Sequence, residues 1–167
     1  EGKKGAIVFM DSQNGEVLCL VSSPAFNPNT FIDRNDDVLL NSYFRNPAAP
    51  LLNRAIKGLY SPGSVFKIIT TLAGLESGKI SPFTSFFCKG SFFLGTQEFS
   101  CWEPHGMQDL RLALTHSCNV YFYHVGLLAG SEILNKYARE LGLGNPTNID
   151  LLSKFFYFLC SLITMFN

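Results

Sequence analysis

The sequence predicts an α/β fold of the α+β type, in which N-terminal strands of an antiparallel sheet are followed by a helical subdomain. Three observations support this prediction: paired apolar runs within residues 5–23, an apolar helical run at residues 65–77, and helical runs between residues 109 and 141. The 167 residues and the apolar share of 47% suffice for the hydrophobic core of one domain.

The first element is a predicted antiparallel hairpin over residues 5–23. Two apolar runs flank Asn14 and Gly15, a dipeptide that suits the positive φ angles of a tight hairpin turn. Residues 31–52 follow, with several aspartates and prolines and without a sustained period of either kind. We expect this stretch to be irregular, with a short helix at most.

The central element is a predicted helix over residues 65–77. A turn and cap at residues 60–64 precede it, and Gly78 ends it. Because the helix is apolar on nearly all sides, we expect it to lie inside the protein. Residues 81–101 then hold six phenylalanines and two glycines, a composition that favours a small aromatic hairpin over a helix.

The pattern after the aromatic hairpin is helical. A short helix is predicted over residues 109–115, the region of Ser117 interrupts it, and an apolar helical run resumes over residues 120–128. Ser131 is the expected cap of a further helix that continues through Leu141. The predicted order is therefore hairpin, loop, buried helix, aromatic hairpin and helices.

The charge pattern excludes one class of partner. Thirteen basic and thirteen acidic side chains give a formal net charge of zero, and they are scattered along the chain. The sequence therefore offers no basic surface for nucleic acid, and we expect no nucleic-acid partner. The first residues lack the charged start, apolar stretch and cleavage site of a secretory signal, so we expect any export signal to lie outside this chain.

The five cysteines show no C-x-x-C pair and no histidine at metal-ligand spacing. This spacing argues against a zinc site. Cys88 and Cys101 flank the predicted aromatic hairpin. A disulfide between them in an oxidising compartment and two unpaired thiols on neighbouring strands are both open alternatives.

Ser64 and Lys67 form an S-x-x-K pair with catalytic potential. A serine nucleophile needs a base within hydrogen-bond reach, and a lysine three positions later on a helix lies on the same face. Burial among apolar neighbours is expected to lower the pKa of Lys67, so that its neutral amine can accept the serine proton. The alternative is structural, because a serine before a helix is often a simple cap and S-x-x-K alone is a weak signal.

The second candidate is the S-x-N triplet of Ser117, Cys118 and Asn119, at the break between two predicted helices. A hydroxyl and a carboxamide one residue apart can relay a proton and bind a substrate amide. The alternative is ordinary capping of the helix that starts at Val120. The same pattern also occurs at Ser12–Asn14, where the hairpin turn explains it.

Longer segments around these residues resemble the transpeptidase domain of class B penicillin-binding proteins, of the penicillin-binding protein 2 type. NRAIKGLYSPGSVFK at residues 53–67 looks like their S-x-x-K segment, and SCNVYFYHVG at residues 117–126 is similar to their S-x-N segment. Stretches at residues 5–29 and 137–151 extend the resemblance over about residues 5–151. It implies a penicillin-binding and serine β-lactamase-like transpeptidase fold.

The resemblance also implies a role for each residue. Ser64 is expected to attack a D-Ala-D-Ala amide or a β-lactam ring, Lys67 to act as the general base, and Ser117 to return the proton to the leaving amine. Asn119 is expected to bind the acyl-side amide of the substrate. The implied activity is that of a peptidoglycan D,D-transpeptidase, which needs no metal and no organic cofactor.

The implied partners are peptidoglycan stem peptides and β-lactams, together with other cell-wall synthesis proteins that the full-length parent contacts. The implied location is the periplasmic or extracytoplasmic face of the inner membrane.

The last residues depart from the family pattern. The family's third motif, K-T-G or K-S-G, does not occur in this sequence. We expect residues 1–151 to be the N-terminal portion of an incomplete transpeptidase domain. Residues 152–167 are expected to be an apolar tail foreign to the family, produced by truncation or a shifted reading frame. This tail is shorter than the roughly twenty residues that a membrane-spanning helix needs.

Two alternatives to an active transpeptidase remain open. One is a catalytically silent remnant that lacks the third motif, and the other is a relative of the β-lactamases or β-lactam sensors.

Overall fold

A computed structural model describes residues 2–32, 37–146 and 149. The predicted tail at residues 152–167 and residues 33–36, near the start of the stretch predicted as irregular, lie outside the described residues. The described chain divides into two compact units. The first is formed by the residues up to Tyr60 together with Pro146, and the second by Ser61–Asn145.

The first unit contains the predicted antiparallel hairpin. Strand β1 spans Gly5–Met10 and pairs with strand β2, Val17–Ser23, with a shift of register between Phe9 and Met10. The connecting turn is longer than two residues, and of the predicted dipeptide only Gly15 is among the residues with positive φ, at +77°. The hairpin prediction is confirmed over residues 5–23.

Two helices follow the hairpin within the first unit. Helix α1 spans Asp37–Arg45, in the stretch expected to hold a short helix at most, and helix α2 spans Arg54–Lys57. A 3₁₀ turn at Pro28–Phe31 precedes them. The side chain of Asn53 caps α2 by accepting a hydrogen bond from the Ala55 backbone N–H at 3.1 Å.

The guanidinium of Arg54 organises the loop before α2. This side chain is buried, and its Nη2 and Nη1 atoms donate to the carbonyls of Ala48 (2.5 Å) and Ala49 (3.0 Å). The Arg54 backbone N–H donates to Ser22 Oγ at 3.0 Å, and Ser22 Oγ donates to the Leu52 carbonyl at 3.0 Å. The arginine of the resemblance segment therefore attaches the loop to β2.

The second unit is built on two helices. Helix α3 spans Lys67–Glu76 and follows a 3₁₀ turn at Gly63–Phe66, and helix α5 spans Asn119–Glu140 and packs along it. Four α3 residues face the core and are buried. The expectation that the helix predicted over residues 65–77 lies inside the protein holds for this side only, because Val65, in the 3₁₀ turn, and Ile68 are 71% and 57% exposed. The buried residues of α3 are Ile69, Thr70, Ala73 and Gly74.

The predicted aromatic hairpin is present as strands β4, Ser91–Leu94, and β5, Gln97–Ser100. Strand β3, Phe86–Cys88, pairs separately with strand β6, Gly106–Gln108, in an antiparallel ladder. The β3–β6 pair was not predicted, because its strands are short and the residues between them carry the hairpin. Together the two pairs place Cys88 and the end of β5 next to α5.

The remaining helices agree with the sequence pattern. Helix α4 spans Leu110–Thr115, and the Asp109 side chain caps it by accepting from the Leu112 N–H at 2.7 Å. A left-handed residue, Ser117 at φ +50°, then separates α4 from α5. Gly130, at φ +77°, interrupts α5 where a new helix was predicted. None of the helices in the described residues has both the length and the apolar character that crossing a bilayer requires.

A close approach of α3 and α5 occurs at Gly74. A Cβ atom at this position would lie 2.7 Å from Val125 Cγ1 and 3.0 Å from two side-chain carbons of Ile80. Both neighbours are buried, so neither can move away freely. The core around this contact consists of Ile80, Cys88, Leu110, Ala113, Cys118, Val120, Tyr121, Phe122 and Val125.

We predict that Gly74→Ala destabilises the protein. Overpacking against Val125 should cost about 1–3 kcal/mol, which exceeds the roughly 1 kcal/mol that alanine contributes to a helix. Urea unfolding measures the change in the free energy of unfolding. Gly5→Ala is the control, since a Cβ at Gly5 meets nothing within 4 Å. An unchanged or raised midpoint for Gly74→Ala would contradict the close approach.

Candidate active site

Four polar side chains predicted from the sequence meet at one place in the second unit. Ser117 Oγ donates to Ser64 Oγ at 2.8 Å, and Lys67 Nζ donates to Ser117 Oγ at 2.9 Å. Lys67 Nζ also donates to Asn119 Oδ1 at 2.7 Å. In the described part of the chain, the link from the Ser64 hydroxyl to the lysine amine therefore runs through Ser117.

The Lys67 amine is the centre of this arrangement. Besides the two side-chain contacts, it donates to the Ser117 carbonyl at 2.5 Å and lies 5.6 Å from the ring centre of Phe122. Burial lowers the pKa of Lys67, while Cys101 and Cys118 act in the opposite direction. Because burial has the larger effect, the pKa of Lys67 is lowered overall, and more of the amine is neutral at a given pH than in a solvated lysine.

Local backbone geometry places each of these groups. Ser64 lies in the 3₁₀ turn that leads directly into α3, where Lys67 is the first residue. Ser117 has a left-handed backbone between α4 and α5, and its N–H donates to the Leu114 carbonyl at 3.2 Å. Asn119 begins α5, and its Nδ2 donates to the Ser100 carbonyl at 3.3 Å. The S-x-N loop is therefore held against the end of β5.

Three of the four groups border a cavity of about 420 Å³. Ser64, Lys67 and Asn119 contribute polar atoms to its lining, and aromatic rings form much of the rest. A cavity with a few converging polar groups and apolar walls is typical of a ligand site. Its lining residues are Ser61, Pro62, Gly63, Ser64, Phe66, Lys67, Thr70, Asn119, Phe122, Tyr123, Gly126 and Leu134.

A second cluster lies directly behind the S-x-N loop. Cys88 ends β3, Cys101 follows β5, and Cys118 is the middle residue of S-x-N. The sulfur atoms and a ring nitrogen of His105 all lie within 4.8 Å of one another. His105 Nδ1 is 3.6 Å from Cys88 Sγ and 3.5 Å from Cys101 Sγ. All three cysteines are free thiols, so of the two open alternatives the structure has unpaired Cys88 and Cys101.

These four donors can hold a metal ion. Three sulfurs and one imidazole form a donor set that Zn²⁺ binds tetrahedrally in structural sites. The other ring nitrogen of His105, Nε2, is buried, has no hydrogen-bond partner among the described residues, and lies 3.6 Å from Glu103 Oε1. The argument from spacing against a zinc site does not anticipate this cluster, because its members come from separate strands and loops. Only the β3–β6 pairing and the end of β5 bring them together.

The cluster and the S-x-N loop share atoms. Cys101 Sγ accepts the Asn119 backbone N–H at 3.2 Å. Burial raises the pKa of the Cys101 thiol, but backbone hydrogen bonds from Val120, Asn119 and Glu103 outweigh burial and leave the pKa below its usual value. Burial raises the pKa of Cys118 to about 12.

Sequence reasoning also missed three side chains that support this loop. Trp102 Nε1 donates to the His116 carbonyl at 3.0 Å, and His116 Nδ1 lies 2.9 Å from Gln108 Oε1. The His116 ring stacks on the His105 ring with centres 5.6 Å apart. Gln108 is buried. No short motif signals these contacts, because they join residues of the loop before β6, of β6 itself and of the end of α4.

Comparisons with known proteins agree with these observations. Residues 5–155 match the family described as penicillin binding protein transpeptidase domain. The chain is 37% identical over 157 residues to the peptidoglycan D,D-transpeptidase MrdA of Acinetobacter baumannii, which covers 92% of this chain and 23% of that protein. The chain therefore spans less than a quarter of that relative.

Two solved structures are similar to this chain. One is the complex between penicillin-binding protein 2 and MreC from Helicobacter pylori, with a TM-score of 0.85, 37% identity, and coverage of 92% of this chain and 29% of that one. The other is the ceftriaxone acyl-enzyme complex of penicillin-binding protein A from M. tuberculosis, with a TM-score of 0.78 and 35% identity. It covers 86% of this chain and 34% of that one.

We predict that Lys67 titrates below 10.5, the ordinary lysine value, because burial disfavours its charged form. NMR titration of the chain with labelled lysine side chains measures the midpoint. Lys67→Arg removes one resonance and so identifies it. A Lys67 midpoint at or above 10.5 would show that its oxygen partners outweigh burial.

Proposed function

This chain belongs to the penicillin-binding protein transpeptidase family, and on this premise we propose that it carries the acylation site of a peptidoglycan D,D-transpeptidase. The substrate would be the D-Ala-D-Ala end of a stem peptide, and β-lactams would acylate the same serine. The observation that carries the proposal is the hydrogen-bonded chain from Ser64 through Ser117 to Lys67 at the edge of a cavity.

Acylation begins with proton transfer from Ser64. Its hydroxyl is a weak nucleophile until a base takes the proton, and the neutral Lys67 amine is the base that the site offers. Ser117 Oγ lies between the two groups. Once Lys67 is neutral, both hydrogen bonds reverse direction, and Ser117 accepts the proton of Ser64 while giving its own proton to Lys67. The lowered pKa of Lys67 supports this role, since it raises the neutral fraction at a given pH.

The second half of acylation returns the proton. Ser64 Oγ forms a bond to the carbonyl carbon while the amide C–N bond breaks, and the leaving amine takes a proton from Lys67 through Ser117. The products are an acyl-serine and free D-alanine. With a β-lactam the ring amide opens, and the released nitrogen remains attached to the acyl group.

Asn119 is proposed to bind the acyl-side amide of the substrate. Its carboxamide borders the cavity and is already oriented by Lys67 and by the Ser100 carbonyl. A side chain held at both ends loses little further freedom when a ligand binds, which favours its use for positioning.

We extend the proposal to the partners and the location of the parent protein on the basis of its relatives. A similar structure is described as a complex of penicillin-binding protein 2 with MreC. We infer that the longer protein containing this chain works with other cell-wall synthesis proteins. Because its proposed substrate is a peptidoglycan stem peptide, we propose that it works at the outer face of the inner membrane.

We predict that Ser64→Ala abolishes covalent labelling by penicillin, because the acyl group loses its point of attachment. Intact mass spectrometry of the chain after incubation with excess penicillin detects one added ligand in the wild type. Ser85→Ala, at an exposed position away from the cavity, should label like the wild type. An unlabelled wild-type chain would favour the silent remnant, and labelling that persists in Ser64→Ala would contradict the assigned nucleophile.

We predict that Lys67→Arg lowers the rate of penicillin acylation by about 10²–10⁴-fold, since a guanidinium cannot act as a base. In the wild type, the rate should rise with pH as Lys67 deprotonates. The plateau should already be reached below pH 10.5, because burial lowers the pKa of Lys67 from that ordinary value. Rapid-quench kinetics, with mass spectrometry of the quenched samples, measures the acylation rates. The exposed Lys136, changed to arginine, is the control, and equal losses in both variants would argue against a general base at Lys67.

A further inference from the structure

We propose that Trp102 and Gln108 are positioning residues for the proton relay, and that both act through His116. Within the described part of the chain, neither side chain lines the cavity at Ser64, so neither is a catalytic residue. The inference rests on the proposed function, because it concerns the path from Ser64 through Ser117 to the lysine amine.

The end of α4 has the hydrogen-bond pattern in which a helix closes on a left-handed residue. The Cys118 N–H donates to the Ala113 carbonyl at 2.9 Å, and the Ser117 N–H donates to the Leu114 carbonyl at 3.2 Å. The left-handed residue of this pattern, here Ser117 at φ +50°, is usually glycine, which has no Cβ to oppose the conformation. A serine there carries a backbone cost, so its surroundings must maintain the conformation. The hydroxyl of the relay therefore belongs to a residue that needs support.

The first support comes from the indole of Trp102. Its Nε1 donates at 3.0 Å to the His116 carbonyl, which belongs to the peptide group that joins His116 to Ser117. The orientation of this peptide group constrains the φ angle of Ser117. The ring also makes an edge-to-face contact with the His105 ring, with centres 4.9 Å apart. Since Trp102 is 63% exposed, these contacts and not burial in the core explain its place beside the loop.

The second support comes from Gln108, whose carboxamide has a defined orientation. Its Nε2 donates to the carbonyls of His105 and Met107, both at 2.9 Å, so its Oε1 is left to accept. His116 Nδ1 lies 2.9 Å from this Oε1 and therefore donates its proton to it. Because Gln108 is 2% exposed, the contact attaches the His116 ring to the core of the second unit.

His116 is thus held at two points, its carbonyl by Trp102 and its ring by Gln108. The next residue is Ser117, whose hydroxyl lies 2.8 Å from the Ser64 hydroxyl and 2.9 Å from the lysine amine. Proton transfer depends on both distances. A displacement of about 1 Å can slow such a reaction by about 10²-fold, so the two supports set the rate of the relay without touching the reacting atoms.

The first test removes the indole donor and keeps an aromatic ring. In Trp102→Phe we expect the maximal rate of penicillin acylation to fall about 10–100-fold. The half-saturating penicillin concentration should stay close to the wild-type value, because Trp102 does not line the cavity. Rapid-quench mass spectrometry over a range of penicillin concentrations separates the two constants.

The control for this variant is Phe83→Leu, at an aromatic position that is 88% exposed, and it should acylate like the wild type. A positioning residue lowers the maximal rate, whereas a residue that only stabilises the fold lowers the urea midpoint alone. In a chain that penicillin labels, a wild-type maximal rate in Trp102→Phe would overturn the proposal.

The second test compares two substitutions of His116. Asparagine can place its Nδ2 where the imidazole has Nδ1, and so keep the hydrogen bond to Gln108, whereas alanine cannot. His116→Ala should therefore slow acylation, and His116→Asn should restore most of the rate although it also lacks the ring. Equal rates in the two variants would overturn the role of Gln108.

The third test concerns the backbone of Ser117. Ser117→Gly and Ser117→Ala both lose the hydroxyl, but only glycine adopts a positive φ without cost. We expect a higher urea midpoint for Ser117→Gly than for Ser117→Ala. Equal midpoints, or the reverse order, would show that the conformation needs no support and would overturn the proposal.

The proposed function can fail separately from this inference. NMR titration of Lys67 needs no acylation, and in Trp102→Phe its midpoint should rise towards 10.5, because a displaced loop leaves the amine less buried. If penicillin does not label the wild-type chain, the proposed function is rejected and this midpoint decides. A raised midpoint in Trp102→Phe then supports the positioning role, and an unchanged midpoint overturns it.

Discussion

The three hydrogen bonds of the Lys67 amine are the interaction on which the candidate site depends. They join the start of α3 to a loop fifty residues later, through Ser117 and Asn119. Within the described residues, Ser64 is joined to that loop by one hydrogen bond, which the Ser117 hydroxyl donates to the Ser64 hydroxyl. The same geometry that joins the two segments also buries the amine. This burial disfavours the charged form and so lowers the pKa of Lys67.

This bridge requires a fixed position for the S-x-N loop. Ser117 holds a left-handed backbone, which costs a non-glycine residue roughly 1–3 kcal/mol unless the surroundings maintain it. The surroundings here include Trp102, which donates to the His116 carbonyl, and the neighbouring cluster of Cys88, Cys101 and His105. The aromatic hairpin therefore has a structural purpose beyond its own pairing, because the end of β5 supports the candidate site through the Ser100 carbonyl.

The elements predicted correctly are those with strong local signals. Alternating apolar residues and Gly15 indicate the first hairpin, the helical pattern of residues 109–115 indicates α4, and Ser131 as a capping residue indicates the break at Gly130. The β3–β6 ladder and the burial of α3 on one side only were missed, since both depend on which segments pack together and not on a period within one segment.

The sequence by itself identified the candidate site residues, because S-x-x-K, S-x-N and their flanking segments are local patterns. It also determined the hairpin and helix order. Only the tertiary structure decided that Ser64 reaches Lys67 through Ser117, and that three cysteines and a histidine converge behind the same loop. The physical reason is that both arrangements are contacts between segments far apart in the chain, whose positions are set by packing of the shared core.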